Sequence, residues 1–388
     1  MKTVMIVAGE SSGEWYGSML TKELKRMWPE IRVVGIGGER MRDAGVEILS
    51  GISSGLGITE LLPSLRRIRE SFKAAAKALS DLKPDVVVLI DYPDFNFRLG
   101  RVAKKKGLRV LYYVSPQVWA WRKRRVKTMG EITDRVAAIL PFEEEIYRKA
   151  GIPCEFVGHP ALEEIEDYEA ETAAEASPVP GPDSALKIAL LPGSRPNELK
   201  ALLPLFAGLV KVSGRDLPGA RFFTPLAPNI EAESFREDIE ALKKEGVTFS
   251  RGDALRCLAF SDAAVIASGT ATLQAALLGV PSVVVYKVSA LTYYLARAVL
   301  KVRHISLVNI IAGKEVVREM IQHGAHPEAV LEELTRIVVD KPYREKMVAS
   351  MEEVRKSFSG RRPSRRVAGM IAELTGWALP EIAASTEH

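Results

Sequence analysis

Apolar residues along this chain fall in short unbroken runs, separated by longer stretches with three- and four-residue spacing. The runs are Val4 to Ala8, Val33 to Ile36, Val86 to Ile90, Val110 to Val114, Val136 to Leu140 and, more weakly, Glu155 to Val157. Each is continuously apolar and stops at Gly, Pro, Asp or Ser, as strands buried on both faces of a parallel sheet do. Between them, Met19 to Trp28, Leu61 to Leu82 and Phe97 to Lys106 carry the helical period. This predicts a βαβ domain over residues 1–165. From Glu163 the sequence EEIEDYEAETAAEASPVPGPDS is acidic, then Pro-rich, with almost nothing to bury, and predicts a linker over 166–184. The alternation then restarts with Lys187 to Leu191, Arg221 to Pro225, Val247 to Phe249, Ala263 to Ala267 and Val283 to Tyr286. A second α/β domain of similar size is expected over 185–341, followed by a helical tail over 342–388 that lies back across the first. The expected fold class is therefore α/β, two doubly wound Rossmann-like domains facing one another, with a ligand cleft between the carboxyl ends of both sheets.

Composition narrows the partners. With 388 residues, 47% of them hydrophobic and 27% charged, the chain can fill two ordinary cores and fits no collagenous, repeat or disordered class. Fifty-four Lys and Arg against 49 Asp and Glu leave +5, which suits a nucleotide, a phospholipid surface or a nucleic acid, or serves solubility alone. Cys154 and Cys257 are too few for a disulfide framework or a Cys-rich zinc site, which points to a reducing cytoplasm. No apolar run approaches the roughly 20 residues of a membrane span, and Val4 to Ala8 leads into GESSGE rather than a signal-peptide cleavage site.

The residues with chemical interest follow strands. Gly9-Glu10-Ser11-Ser12-Gly13-Glu14 is a Gly-flanked loop opening a helix, suited to an anion or sugar hydroxyls, or simply a capped turn; it lacks the Lys of a Walker loop. Asp91-Tyr92-Pro93-Asp94-Phe95-Asn96 sets two carboxylates and an amide at a strand end, where Asp91 is placed to take a proton from a hydroxyl and Asp94 serves equally as a helix cap. Ser115 to Arg125, SPQVWAWRKRR, joins aromatics to a basic run that fits stacked bases, anionic lipid or packed tryptophans with a solvated face. In the second domain Gly193-Ser194-Arg195 presents a guanidinium suited to a phosphate. Ser268-Gly269-Thr270, with Gln274 one turn later, opens a helix whose small residues and N–H groups suit a diphosphate, or form an ordinary N-cap. The five histidines are scattered, so no metal site is expected.

Taken in order, GESSGE, LGITELLPSLRRIRE, LKPDVVVLIDYPDFN, YYVSPQVWAWRKRRV, LPFEEEIY, VGHP, LLPGSR, SGTATLQAALLGVPSVVVYK and SLVNIIAGKEVVREMIQ resemble the lipid-A-disaccharide synthase family from Val4 to about Gln322. The resemblance implies a GT-B fold and an inverting glycosyl transfer, in which UDP-2,3-diacylglucosamine gives its sugar to the 6-hydroxyl of 2,3-diacylglucosamine 1-phosphate (lipid X) and UDP leaves. It makes Asp91 the base. Gly193, Ser194, Arg195, Ser268, Gly269, Thr270, Gln274 and Asn309 become the donor side, and Glu10, Ser11, Ser12, Gly13, Glu14, Asp94, Asn96 and Ser115 the acceptor side. No cofactor, metal or nucleic acid is implied, and the oligomeric state is open, a homodimer among the options.

Acylated substrates imply a peripheral enzyme on the cytoplasmic face of the inner membrane. Leu61, Leu62, Leu65, Ile68 and Phe72 share helical spacing, flanked by Arg66, Arg67 and Arg69; the stripe either meets that membrane or faces the core. The family pattern is broken at Glu14 (Asp), Gln274 (Glu), Val308 (Pro) and Leu56 (Met). These departures admit a GT-B relative acting on another UDP-sugar, as a cell-wall glycosyltransferase or a UDP-sugar epimerase. A non-catalytic protein binding an anionic ligand is the alternative from a different class.

Overall fold

The computed structural model describes residues 1–51, 61–116, 124–174, 185–252, 254–288 and 303–380. Within it the chain packs as two units, Met1–Pro160 together with the chain from Gly360 onward, and Ala161–Ser359.

The first unit holds a seven-stranded sheet of β1 (Thr3–Ala8), β2 (Arg32–Ile36), β3 (Glu47–Ser50), β4 (Val86–Ile90), β5 (Arg109–Tyr113), β6 (Arg135–Ala138) and β7 (Cys154–Phe156), in the order β3-β2-β1-β4-β5-β6-β7. All pairings are parallel, with Val4 beside both Val33 and Val86 in the centre. The central strands β1 and β4 are buried along their whole length and, Thr3 apart, carry only apolar side chains, as strands covered by helices on both faces do. After β3 the chain crosses to the other side of β1. That reversal leaves the carboxyl ends of β1 and β4 as the switch point, where the loops on either side diverge and open a crevice.

The second unit repeats the plan with six parallel strands: β8 (Lys187–Leu191), β9 (Arg221–Leu226), β10 (Thr248–Arg251), β11 (Ala263–Ala267), β12 (Ser282–Tyr286) and β13 (Arg318–Ile321), ordered β10-β9-β8-β11-β12-β13. Here the switch point lies between β8 and β11.

Two strands escape the apolar-run criterion. β3 and β13 are four-residue edge strands, each with one exposed and three half-buried positions, so neither needs a continuous apolar run. The acidic segment read as a linker from Glu163 begins instead as a helix, Pro160–Ala174, with Leu162 and Ile165 buried three residues apart; its Ala- and Glu-rich composition favours helix and two apolar residues suffice to dock it. The tail divides between the units. The helix Lys341–Phe358 stays with the second, and the helix Pro363–Thr375 packs against the helix Ser11–Met27 and strands β4 and β5 of the first.

Candidate active site

At the first switch point, Gly9 and Glu10 link β1 to the helix Ser11–Met27, whose opening turn is formed by Ser11, Ser12 and Gly13. A side chain at Gly9 would collide with the Tyr92 ring, 2.2 Å from an added Cβ, so the loops after β1 and β4 touch here. Glu14 turns away from the loop. Its Oε1 accepts the Arg40 N–H at 2.8 Å and caps the helix Glu39–Asp43.

The loop after β4 is strained. Asp91 and Tyr92 both adopt left-handed conformations, with φ of 45° and 49°, each costing on the order of 1–3 kcal/mol for residues with a Cβ. The surroundings over-determine this geometry. The Asp91 N–H donates to the carbonyls of Tyr113 and Val114, and its own carbonyl accepts from Asn96 Nδ2 at 2.7 Å and from the Tyr112 hydroxyl at 2.6 Å. Burial, reinforced by the Asp91 charge, lifts the Tyr112 pKa well above its ordinary value, so the phenol remains a donor. Asn96 is fully buried and also donates to the Ile90 carbonyl, so its amide shapes the loop from within. Asp91 itself is half-buried at the strand end. Asp94 is 87% exposed and pairs with Arg125 at 3.1 Å.

Ser115 also lies inside the protein and donates to Glu143 Oε1 at 2.9 Å, while Glu143 Oε2 accepts the Leu140 N–H. The aromatic and basic residues 117–123 fall outside the described residues, as do the side chains of Leu61, Leu62 and Leu65. On the helix Leu61–Asp81, Ile68 and Phe72 pack against the first core and Arg66, Arg67 and Arg69 are exposed.

In the second unit the loop after β8 is tied by Glu198, whose Oε2 accepts the N–H groups of Ser194 and Arg195 at 3.1 and 3.2 Å. Gly193 sits at φ +96° and an added Cβ would lie 2.1 Å from that same oxygen, so no side chain fits. The Arg195 side chain stands 64% exposed, its Nη1 3.7 Å from Glu198 Oε1. Tyr286, at the end of β12, is raised above its usual pKa by burial and by Glu198, with Arg195 acting against them, so it shares their neighbourhood.

Across the switch point, Ser268 donates to the Ile305 carbonyl at 3.0 Å, and Gly269 is exposed with open space around it at the start of the helix Thr270–Leu277. The first N–H groups of such a helix have no intrahelical acceptor and favour an anion. Asn309 is fully buried. Its Nδ2 donates to Val317 O and Glu319 Oε1, and its Oδ1 accepts from the N–H groups of Val316 and Val317. Glu319 in turn accepts from Ile305 N, Ser306 N and Ser306 Oγ, which anchors the chain that Ser268 also holds. Asn309 thus ties the helix Leu307–Ala312 to the chain before and within β13.

The sequence reading passed over Tyr112, Glu143, Glu198 and Glu319. Only Glu198 carried a local signal, an acid three residues into a helix after a loop residue; the others act at long sequence separation. Among the described residues no three His, Cys, Asp or Glu side chains gather in a way that would hold a metal ion.

Two all-parallel α/β domains, each with a polar loop pair at its switch point, define the GT-B class. Solved structures of similar fold include a UDP-N-acetylglucosamine 2-epimerase from Neisseria meningitidis bound to UDP-GlcNAc (TM-score 0.62, 14% identity, 96% of this chain and 99% of that one). They also include MurG of Acinetobacter baumannii (0.56, 16%, 96% and 100%) and the calicheamicin glycosyltransferase CalG4 (0.59, 16%, 98% and 100%). The family model for lipid-A-disaccharide synthetase matches residues 4–372. Lipid-A-disaccharide synthases of Syntrophus aciditrophicus and Myxococcus xanthus are each 40% identical to this chain, covering 96% of it and 98% and 97% of their own lengths. The chain belongs to the lipid-A-disaccharide synthase family and is a glycosyltransferase of lipid A disaccharide synthesis.

Proposed function

We propose that the protein transfers 2,3-diacylglucosamine from UDP to the 6-hydroxyl of lipid X, the second domain (185–341) binding the donor and the first (1–165) the acceptor. The observation that carries this assignment is the coincidence of polar loops with switch points. Among the described residues, Arg195 and Ser268-Gly269-Thr270 flank the reversal of strand order in the second sheet, and Asp91 flanks that in the first.

In this reading Asp91 accepts the proton of the 6-hydroxyl as its oxygen attacks the anomeric carbon, and the bond from that carbon to the diphosphate oxygen breaks with inversion. The negative charge that grows on departing UDP is met by the Arg195 guanidinium and the N–H groups opening the helix at Thr270. The strained loop matters here because it fixes a carboxylate on backbone that cannot relax without breaking the bonds from Asn96 and Tyr112.

Asp91→Asn is expected to lower kcat by about 100- to 10,000-fold, the usual worth of a general base, while UDP affinity stays within a factor of two or so of the parent. Mass spectrometry of products from UDP-2,3-diacylglucosamine and lipid X reads the reaction. Full turnover in Asp91→Asn would remove it from the role of base.

The acylated substrates lie in a bilayer, and Arg66, Arg67 and Arg69 are an exposed basic edge on the helix Leu61–Asp81; these support peripheral contact with the cytoplasmic face of the inner membrane. No described helix is long and apolar enough to cross a membrane. Replacing all three arginines with Glu is expected to weaken binding to anionic vesicles by at least tenfold, given about 1 kcal/mol per charge, with an unchanged melting temperature. Equal binding by parent and variant would dismiss this surface.

A further inference from the structure

In the first unit the chain after β2 brings a guanidinium to the carboxyl edge of the sheet. Gly37 and Gly38 lead from β2 into the helix Glu39–Asp43, whose second residue, Arg40, is exposed. This backbone is fixed to its neighbours on both sides. Glu14 Oε1 accepts the Arg40 N–H, a Cβ on Gly38 would lie 2.4 Å from that same oxygen, and the Gly37 N–H reaches the Ser50 carbonyl at 3.4 Å. The Arg40 side chain is held separately, its Cζ 4.7 Å from the centroid of the Trp15 ring. A helical side chain leans toward the N-terminus of its helix, so Trp15 lies over the opening turn of the helix Ser11–Met27, the turn that follows β1 at the switch point. Among the described residues no carboxylate pairs with the Arg40 guanidinium, whereas Arg125, beyond β5, is engaged by Asp94 at 3.1 Å.

We propose that Arg40, held over Trp15, receives the 1-phosphate of the acceptor sugar and selects for acceptors that carry it. The inference rests on the acceptor reading above, in which Asp91 meets the 6-hydroxyl. The segment Gly9–Glu14 between them holds two carboxylates and no cation, so a phosphate monoester entering this crevice needs its counter-charge from a neighbouring loop. β2 and β4 stand on either side of β1, about 10 Å apart at the usual strand spacing. A carboxylate reaching in from one side and a long guanidinium from the other leave room for one sugar ring, whose 6-hydroxyl arm and 1-phosphate leave from the two carbons flanking the ring oxygen. A guanidinium packed over an aromatic ring keeps its edge N–H donors outward, where two of them meet two phosphate oxygens. Trp15 then acts as a positioning residue for Arg40.

The test compares lipid X with the same diacylglucosamine lacking its 1-phosphate, both presented to the full-length protein in neutral detergent micelles so that surface charge plays no part, with products read by mass spectrometry. The parent is expected to favour lipid X in kcat/KM by about ten- to a hundredfold, the usual worth of hydrogen bonds to a charged group. Arg40→Gln should bring that preference close to one by raising KM for lipid X, with kcat at saturation, turnover of the unphosphorylated acceptor and KM for the UDP-sugar at parent values. Arg40→Lys, which keeps the charge without the planar fork, and Trp15→Leu, which removes the ring, should each lower the preference in part. Arg42→Gln, two residues on and so on another face of the helix, should leave it whole. A preference unaltered in Arg40→Gln, an equal loss on both acceptors, or no preference in the parent each overturns the role of Arg40. If the parent makes product from neither acceptor, the acceptor reading itself fails and takes this role with it, which separates the two outcomes. Should Arg40→Gln not fold, Arg40→Lys carries the same readout.

Discussion

His159 follows β7 and is almost wholly inside the first unit, its ring edge-on to Tyr16 at 6.1 Å. Burial disfavours the imidazolium and lowers its pKa to about 3. The unfolded chain takes up this proton near pH 6.5, so between pH 6.5 and 3 it binds one more proton than the folded protein, and stability falls as pH falls. The contribution is complete above pH 6.5 and amounts to about 2 kcal/mol lost by pH 5. Denaturant unfolding at pH 7 and pH 5 is expected to show this loss in the parent and little of it in His159→Gln. At this scale the sequence pointed to Asp91, which directly follows β4, and to Arg195, which caps the helix after β8, because the loops that follow parallel strands open into the crevice of the sheet. It was a poor guide to Asn96, Asn309, Glu14 and Ser115. Asn309 and Ser115 are bonded to partners inside the protein, and Asn96 donates to the loop backbone through its Nδ2; nothing in a short motif distinguishes an amide that meets a ligand from one that holds a loop.

Among the elements, the helix Pro363–Thr375 shows how a distant segment completes a sheet. Arg366 pairs with Glu155 on the edge strand of the sheet and with Glu373 two helical turns on, and Arg135 of β6 bonds to the same two carboxylates. The four charges form a closed, partly buried ring, which holds both carboxylates below their usual pKa through the arginine hydrogen bonds. Arg366→Ala leaves Glu155 and Glu373 facing one another with a single guanidinium, and is expected to lower stability by about 1–2 kcal/mol once exposure and salt screening are allowed for. Thermal unfolding with and without 1 M salt checks it, the difference between parent and variant shrinking at high salt. Strand periodicity located the central strands within a residue or two because burial on both faces leaves only apolar choices. The half-exposed edges β3 and β13 carry no such constraint, and the helix from Pro160 hides in a segment whose composition reads equally as linker.

For the whole molecule, the first unit is discontinuous in sequence, since it includes the chain from Gly360 onward. Val367, Met370 and Ile371 are fully buried there, each worth about 1.5–3 kcal/mol on burial. A chain ending at Ser359 loses several times the stability of a single core substitution and leaves an apolar face uncovered. It is expected to accumulate as aggregate, with the peptide 360–388 supplied in trans restoring soluble protein; sedimentation of the two preparations decides it. By itself the sequence determined the fold class, the central strands, the family and the loops at both switch points, because unbroken apolar runs and motifs in fixed order are local and one-dimensional. Tertiary structure alone decided which polar side chains are bonded inside the protein, which carboxylate, that of Glu164, stands beside Gln274, and where the tail divides between the two domains. These are contacts between residues tens to hundreds of positions apart, and no pattern along the chain records where folding brings them together.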